Sequence, residues 1–234
     1  MIADFHSHIL PGIDDGSADL SESMAMLAME AEQGIGHVVA TPHFYARYDR
    51  PEDFLARRAA AEAALRREME KKNGLPKLTV GAEVYYFRGM SDSEFLPELT
   101  IRGTSCILIE MPDSPWTDAM YRELGSLWEK RGILPILAHL DRYIRPLQTH
   151  GILKHLEGMP LFVQANAGFF LERGTENMAL RLLRRDQIQL LGSDCHDVNS
   201  RKPNLGDAVE KIRRKLGQPA LERIARYQQD LLPE

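Results

Sequence analysis

Short apolar runs recur along the chain, and each is followed by a stretch with helical spacing. The runs are rich in Val, Ile and Leu and are bounded by Gly, Pro or polar residues. Such runs are typical of strands that are buried on both faces of a sheet. Seven of them are predicted as strands, at residues 1–8, 37–43, 78–85, 105–112, 133–139, 161–166 and 188–196.

The segments between the runs carry apolar residues three or four positions apart, which is the period of an amphipathic helix. Leu20, Met24 and Leu27 form one such stripe, and Gly34 follows as a C-terminal cap. A strand followed by a helix, repeated seven times, predicts a parallel sheet. No linker or repeat interrupts residues 1–234, so we expect one domain. Further helices are predicted from Pro51 to Gly74, from Ser114 through Trp116 to Gly132, around 152–156, after Thr175 and from Leu205 onwards.

Side chains with metal-binding chemistry lie at the ends of nearly all the predicted strands. His6 and His8 are two positions apart, so they point to the same side of the first strand. In an α/β barrel the C-terminal strand ends converge on one mouth, whereas an open sheet spreads them along a line. Ligands on so many strands therefore favour a barrel with one shared cluster. Its later members are His43, Glu83, Glu110, His139, Asp194 and His196.

The clustered carboxylates predict bound cations, because buried acids repel one another unless positive charge compensates them. A structural explanation would instead need a separate partner for each acid. Asp14 and Asp15, in the loop after His8, add to the set. The ligands are too many for one zinc ion, so we expect two or three divalent ions. Imidazole and carboxylate ligands without thiolate suit manganese, iron, zinc or magnesium, and this chemistry does not choose among them.

The composition excludes several other classes of protein. The net charge is −5, whereas proteins that bind nucleic acids usually carry a strongly basic surface. No apolar run approaches the roughly 20 residues of a membrane span. Asp4 and His6 stand where a signal peptide would have its apolar region. Cys106 and Cys195 are too few for a disulfide framework, so we expect a cytoplasmic protein.

Several motifs together resemble those of the PHP (polymerase and histidinol phosphatase) superfamily. They are His6-x-His8, Thr41-Pro-His43, Glu83, His139 and Ser193-Asp-x-His196. Within the superfamily, residues 8–16, 40–43 and 107–112 are similar to the tyrosine-protein phosphatases of bacterial capsule and exopolysaccharide synthesis. The resemblance extends from Met1 to about Arg201. It implies a distorted seven-stranded (β/α) barrel with a trinuclear metal site.

The resemblance also assigns the ligands to ions. Its first ion takes His6, His8, Glu83 and Asp194. Glu83 bridges to a second ion that is also held by Glu110 and His139. The third takes His43, His196 and one of Asp14 and Asp15, with Asp15 preferred. Arg142 and Arg201 match the family's two phosphate-facing arginines. The chain departs from the family pattern at His139-Leu-Asp-Arg142, where His-Pro-Glu-Arg is usual, and in the variable segment 164–168.

The implied function is metal-dependent hydrolysis of phosphotyrosine in proteins, with a bacterial tyrosine kinase as a candidate partner. One alternative is another phosphomonoesterase, such as a histidinol phosphatase or a small-molecule phosphatase. A second alternative is a metal-binding regulator without turnover. The aromatic loop from Phe44 to Arg50 is either a wall for the tyrosyl ring or an ordinary exposed loop.

Residues 195–201 also fit C-x5-R, the signature of cysteine-dependent tyrosine phosphatases. That mechanism needs a glycine-rich loop whose N–H groups cradle phosphate, and residues 196–200 contain no glycine. Strand alternation also turns Cys195 away from the face that bears Asp194 and His196. We therefore expect the match to be accidental.

Overall fold

The computed structural model describes residues 2–144 and 149–232, and its centre is a curled parallel sheet. All strand pairs within these residues are parallel, in the orders β1-β2-β4 and β3-β5-β6-β7-β8-β9. The strands are β1 (Ala3–Ser7), β2 (His37–Ala40), β3 (His43–Phe44), β4 (Lys77–Val80), β5 (Glu83–Tyr85), β6 (Cys106–Glu110), β7 (Leu134–Leu137), β8 (Phe162–Asn166) and β9 (Leu190–Gly192).

Two of the seven predicted strands are each divided into two segments. Thr41 and Pro42 separate β2 from β3, and Pro42 has no N–H to donate to a sheet ladder. Gly81 and Ala82 separate β4 from β5. A Cβ at Gly81 would lie 3.0 Å from the Ile101 side chain, so the chain passes close to its neighbour there. Seven predicted strands therefore become nine segments.

The first and last strands meet just beyond the C-terminal end of β9. Asp194 N donates to His6 O at 2.8 Å, and His8 N donates to Cys195 O at 2.9 Å. These hydrogen bonds bring β1 beside the segment that follows β9, so the sheet curls back on itself. The predicted α/β fold, a distorted (β/α) barrel of parallel strands, is confirmed as a curled parallel sheet.

Helices cover the outer face of this sheet, and their bounds differ from the predicted ones at some ends. The second helix ends at Met69, before the predicted stop at Gly74. The third begins at Asp118, so the predicted cap Ser114 and the residue Trp116 both precede it. Thr117 is the N-cap, because its side chain accepts a hydrogen bond from Met120 N. The helices are α1 (Leu20–Glu32), α2 (Pro51–Met69), α3 (Asp118–Arg131), α4 (Leu140–Tyr143), α5 (Thr149–Leu156), α6 (Ala167–Leu171), α7 (Glu176–Arg184), α8 (Leu205–Leu216) and α9 (Gln218–Leu231), and 3₁₀ turns occupy Met90–Asp92 and Leu96–Leu99.

The core has two parts. The larger packs the outer face of the sheet against the helices and includes Met26, Leu65 and Leu124. The smaller contains Phe5 and Leu108, and it fills the inside of the curl below the strand ends. No helix in the described residues is long and apolar enough to cross a membrane. This packing leaves the C-terminal mouth as the place where polar side chains converge.

Candidate metal centre

Glu83, the first residue of β5, is the centre of the polar cluster at this mouth. Its carboxylate is fully buried. Oε1 lies 2.6 Å from His139 Nε2. Oε2 lies 3.1 Å from His6 Nε2, 3.3 Å from His8 Nε2 and 3.0 Å from His43 Nδ1. A single carboxylate therefore faces four imidazoles that lie in or just beyond β1, β3 and β7.

The predicted ligands form four overlapping groups. Within each group, one ligand atom from every residue lies within 4.8 Å of the others. Shared members connect the groups, as expected of a centre that holds several ions with bridging ligands. The groups are His8, Asp15, His43 and His196; His6, His8 and Asp194; His6, Glu83 and His139; and His43, Glu83 and Glu110.

Several buried atoms in the cluster have no hydrogen-bond partner, and this tests whether the residues fit a metal. They are Glu83 Oε2, Asp194 Oδ1, His43 Nδ1 and His196 Nε2. The 3.0 Å approach of His43 Nδ1 to Glu83 Oε2 lacks hydrogen-bond geometry. Unsatisfied buried polar atoms are costly, and their convergence on shared points is the arrangement that a cation would satisfy. The residues fit a divalent metal centre.

Asp194 and Glu83 are held in their charged forms, whereas burial and the charge of Glu83 raise the pKa of Glu110. Burial alone would raise the pKa of Asp194, but the charges of His6, His139 and His8 lower it to about 2. Burial likewise opposes ionisation of Glu83, and the charges of His6 and His139 bring its pKa well below the usual value. The imidazoles around Glu83 and Asp194 thus favour the charged forms of these two acids.

The two loop aspartates differ in geometry. Asp14 Oδ2 lies 2.8 Å from His8 Nδ1 and accepts from His43 N at 3.0 Å, and its Oδ1 accepts from Gly16 N. Burial would raise the pKa of Asp14, but the hydrogen bond with His8 lowers it to about 2. Asp15 Oδ1 instead lies 3.5 Å from the Nε2 atoms of both His43 and His196. Asp14 therefore orients His8, while Asp15 faces the ligand atoms of the third group.

Arg142 and Arg201 lie beside Asp194 at the edge of the cluster. Arg142, in α4, contacts Glu110, and its Nη2 lies 3.5 Å from Asp194 Oδ2. Arg201 Nη2 lies 3.0 Å from Asp194 Oδ1. Both side chains are partly exposed, and both line a cleft of about 690 Å³ that also includes Phe169 and Asp194. The guanidinium groups of both arginines therefore face a cleft beside the cluster.

His139 and Asp194 have backbone conformations that strand alternation did not predict. Their φ angles are 52° and 56°, in the left-handed region that residues with a Cβ rarely adopt. The predicted strand 188–196 includes Asp194, but β9 ends at Gly192, so Asp194 lies beyond the end of the observed strand. The pairing of β1 with β2 also shifts register between Asp4 and Ser7. Both residues lie just beyond strand ends, and turns rather than continued strand alternation direct their side chains to the cluster.

Sequence analysis missed the role of two amides in segment 164–168. Gln164 is buried, and its Oε1 lies 3.3 Å from His6 Nδ1 and 3.0 Å from His139 N. Asn166 Nδ2 donates to Asp194 Oδ2 at 3.0 Å. The available signal was a Gln and an Asn two positions apart at the end of a strand whose neighbours both end in ligands.

Only part of the aromatic loop from Phe44 to Arg50 reaches the cluster. Phe44 is buried in the core, with its ring 5.1 Å from that of Phe54. The Tyr45 ring lies 5.2 Å from the His43 ring and 5.6 Å from the Tyr85 ring. Tyr45 and Tyr85 therefore form the aromatic side of the mouth.

Cys195 faces away from the cluster. It is fully buried and lies with Asp4 and Glu30 on the other side of the chain. Burial, followed by the charges of Glu30 and Asp4, raises the pKa of its thiol well above the usual value. A buried neutral thiol is a poor nucleophile, in agreement with the expectation that the C-x5-R match is accidental.

The fold has close structural relatives. It superimposes with a TM-score of 0.87 on a structure described as belonging to YwqE from Bacillus subtilis and CpsB from Streptococcus pneumoniae, unique metal-dependent tyrosine phosphatases. The two chains are 24% identical, and the match covers 99% of this chain and 94% of the other. Histidinol phosphate phosphatase from Lactococcus lactis matches with a TM-score of 0.60 at 16% identity, over 94% and 93% of the two chains. These likenesses show a shared fold.

Sequence comparison agrees with this result. The tyrosine-protein phosphatase CpsB of Streptococcus agalactiae is 27% identical over 225 residues, which span 92% of this chain and 90% of the relative. The tyrosine-protein phosphatase YwqE of Bacillus subtilis is 26% identical over 221 residues, or 92% and 85% of the two chains. The resemblance inferred from the motifs is confirmed. The family model for capsular polysaccharide synthesis, CpsB/CapC, matches residues 2–232, so the chain belongs to the CpsB/CapC family.

Proposed function

We propose that this chain is a metal-dependent phosphomonoester hydrolase that acts on phosphotyrosine in proteins. The observation that carries the proposal is Glu83, a buried carboxylate that faces four imidazoles at the mouth of the barrel. Two arginines and two tyrosines border this mouth. The relatives named tyrosine-protein phosphatases match the chain over nearly its whole length, which supports the same activity.

The proposed centre holds two or three divalent ions, with manganese as the first expectation and iron, zinc or magnesium as alternatives. When bound, such ions lower the pKa of a water molecule and neutralise phosphoryl oxygens. Asp15 is the proposed third-site aspartate because it faces His43 and His196, and Asp14 is the residue that orients His8. The proposed ligand sets are those that the family resemblance implies: His6, His8, Glu83 and Asp194; Glu83, Glu110 and His139; and Asp15, His43 and His196. In support, Glu83 belongs to two of the groups of neighbouring ligand atoms, one with His6 and His139 and one with His43 and Glu110.

Arg142 and Arg201 are proposed to bind the phosphoryl group. A guanidinium donates several hydrogen bonds in a plane and matches the oxygens of a phosphate. Both arginines now contact carboxylates of the cluster, chiefly Glu110 and Asp194. Metal ions would take over the charge of those carboxylates and leave the arginine donors for substrate. The cleft between them would admit the phosphoryl group from solvent.

Tyr45 and Tyr85 are the proposed contacts of the substrate's phenyl ring. Their rings are 5.6 Å apart, and Tyr45 lies beside the ligand His43. Aromatic pairs gain about 0.5–1.5 kcal/mol beyond the burial of their area, so this side of the mouth favours an aryl ester. The expected partner is a bacterial tyrosine kinase, and the cytoplasmic location remains a prediction from the composition.

A panel of substrates tests this proposal. We expect the manganese-loaded protein to hydrolyse p-nitrophenyl phosphate and a phosphotyrosyl peptide. Its kcat/KM for the peptide should exceed that for histidinol phosphate by about tenfold or more, since one pocket contact supplies discrimination of that order. Tyr45→Leu should reduce this preference. Tyr48→Leu is the matched control, because Tyr48 belongs to the same loop but is 77% exposed.

Two outcomes of the panel would contradict the proposal. Faster turnover of histidinol phosphate than of the peptide would identify a different phosphomonoesterase. No turnover of any ester, including p-nitrophenyl phosphate, by fully metal-loaded protein would identify a regulator without catalysis.

A further inference from the structure

We propose that the hydrogen-bonded side-chain amides of Gln164 and Asn166 orient the metal ligands before any ion binds. We call this pair the amide relay. The relay would fix the tautomer of His6, orient the ring of His139 and anchor one oxygen of Asp194. The inference rests on the proposed metal centre but does not depend on the identity of the substrate. Gln164 and Asn166 are positioning residues, because they touch ligands rather than ions or substrate.

The relay begins at a backbone donor. His139 N can only donate, and it lies 3.0 Å from Gln164 Oε1, so the oxygen of this amide must face it. His6 Nδ1 lies 3.3 Å from the same oxygen. An oxygen acceptor requires a hydrogen on His6 Nδ1, which leaves Nε2 as the metal-binding nitrogen. His6 Nε2 is the atom that faces Glu83 Oε2, at 3.1 Å.

The direction of the first amide determines the direction of the second. Because Gln164 Oε1 is an acceptor, its Nε2 donates, and it lies 3.0 Å from Asn166 Oδ1. Asn166 Nδ2 must then face Asp194, and it donates to Oδ2 at 3.0 Å. This hydrogen bond occupies Oδ2 of Asp194. Oδ1 lies 3.0 Å from Arg201 Nη2 without hydrogen-bond geometry, and it also faces the cluster, 3.6 Å from His6 Nε2.

The same relay accounts for His139. Its Nδ1 lies against the Asn166 amide, 3.3 Å from Oδ1 and 3.1 Å from Nδ2, so the contact orients the ring without fixing its tautomer. This orientation directs His139 Nε2 at Glu83 Oε1, 2.6 Å away. Two amides thus present the Nε2 atoms of both His6 and His139 to the bridging carboxylate. Hydrogen-bond partners of this kind orient metal ligands and raise metal affinity.

Backbone conformation gives a second reason for the relay. The ligands His139 and Asp194 have left-handed φ angles, which need support from their surroundings. Gln164 holds the backbone N–H of His139, and Asn166 holds the side chain of Asp194. Gly192 makes room for this arrangement, because a Cβ there would lie 2.7 Å from Gln164 Nε2 and 2.5 Å from His6 Cβ.

Gln164→Met and Asn166→Leu remove the relay while keeping side chains of similar size. We expect each to weaken zinc binding, measured by competition with a chelator, by about 10- to 100-fold. The matched control is Gln189→Met. Gln189 Oε1 accepts from Val163 N at 3.0 Å, so this variant loses the same kind of bond to the same strand without touching a ligand. The control should keep zinc affinity within about twofold.

A spectroscopic measurement needs no variant. In ¹⁵N-labelled protein we expect His6 Nδ1 to carry a hydrogen both without metal and with zinc, which is diamagnetic. Gln164→Glu keeps the acceptor and should retain this signal, whereas Gln164→Met should lose its protection from solvent exchange. This readout distinguishes a relay from a merely structural pair of amides.

The inference is overturned if His6 Nδ1 carries no hydrogen in the zinc-bound protein. It is also overturned if Gln164→Met binds zinc as tightly as the Gln189→Met control. A lower melting temperature of metal-free Gln164→Met with unchanged zinc affinity would likewise assign the amides to folding alone. Failure of the proposed phosphatase function would appear separately, as zinc-binding protein that does not hydrolyse the phosphotyrosyl peptide.

Discussion

Glu83→Ala is expected to remove more than one metal ion per chain and to lower kcat by about 10³-fold or more, since metal ions contribute several kcal/mol to such reactions. The reason is the position of Glu83, whose two oxygens face ligands of more than one group. A bridging carboxylate holds two ions, whereas the other ligands hold one. Elemental analysis of the dialysed protein and steady-state kinetics measure the two effects.

Glu110→Ala is the matched control for Glu83→Ala, because it removes a carboxylate from one ligand group rather than two. It should reduce metal content by no more than one ion. Glu83→Gln keeps the size of the buried side chain and separates loss of charge from loss of packing. Full metal content and near-normal turnover in Glu83→Ala would show that Glu83 is not a bridge.

Arg142→Ala and Arg201→Ala are expected to lower kcat/KM for the phosphotyrosyl peptide by about 10²- to 10³-fold, the usual cost of one donor to the transition state. Both guanidinium groups border the cleft beside Asp194, so they can reach phosphoryl oxygens without being metal ligands. Metal content and melting temperature should stay unchanged. Arg→Lys should recover only part of the loss, because an ammonium lacks the planar pair of donors.

Lys202→Ala serves as the control, since Lys202 is exposed and lines the same cleft. It should change kcat/KM far less than either arginine variant. If an arginine variant melts much earlier than the parent protein but turns over normally, that arginine supports the fold and not the reaction.

The sequence was sufficient to predict the sheet and the place of the site. Apolar runs mark strands because both faces of a parallel sheet are buried, and the polar residue that ends each run then lies at the mouth. His43, Glu83 and Glu110 were found in this way, and each belongs to a strand in the structure. The predicted strands divided at Pro42 and Gly81 still end at the mouth, so the positions of His43 and Glu83 were predicted correctly.

Other features depend on contacts that no local pattern records. The hydrogen bond from His139 N to Gln164 Oε1 joins residues that are 25 positions apart. The bond between Asn166 and Asp194 spans 28 positions. Asp14 and Asp15 are adjacent and chemically identical, and only the turn at Gly16 separates their roles. A Cβ at Gly16 would lie 2.2 Å from His8 O, so the loop folds tightly against the ligand strand.

Turnover of the phosphotyrosyl peptide by Cys195→Ser, before and after chelation, tests the metal mechanism most directly. Cys195 is fully buried and faces Asp4 and Glu30 rather than the cluster, so the variant should retain most of the parent activity. Prolonged chelation should abolish that activity, and added manganese should restore it. Loss of turnover in Cys195→Ser at full metal occupancy, together with parent activity that survives chelation, would contradict the metal mechanism and favour the cysteine one.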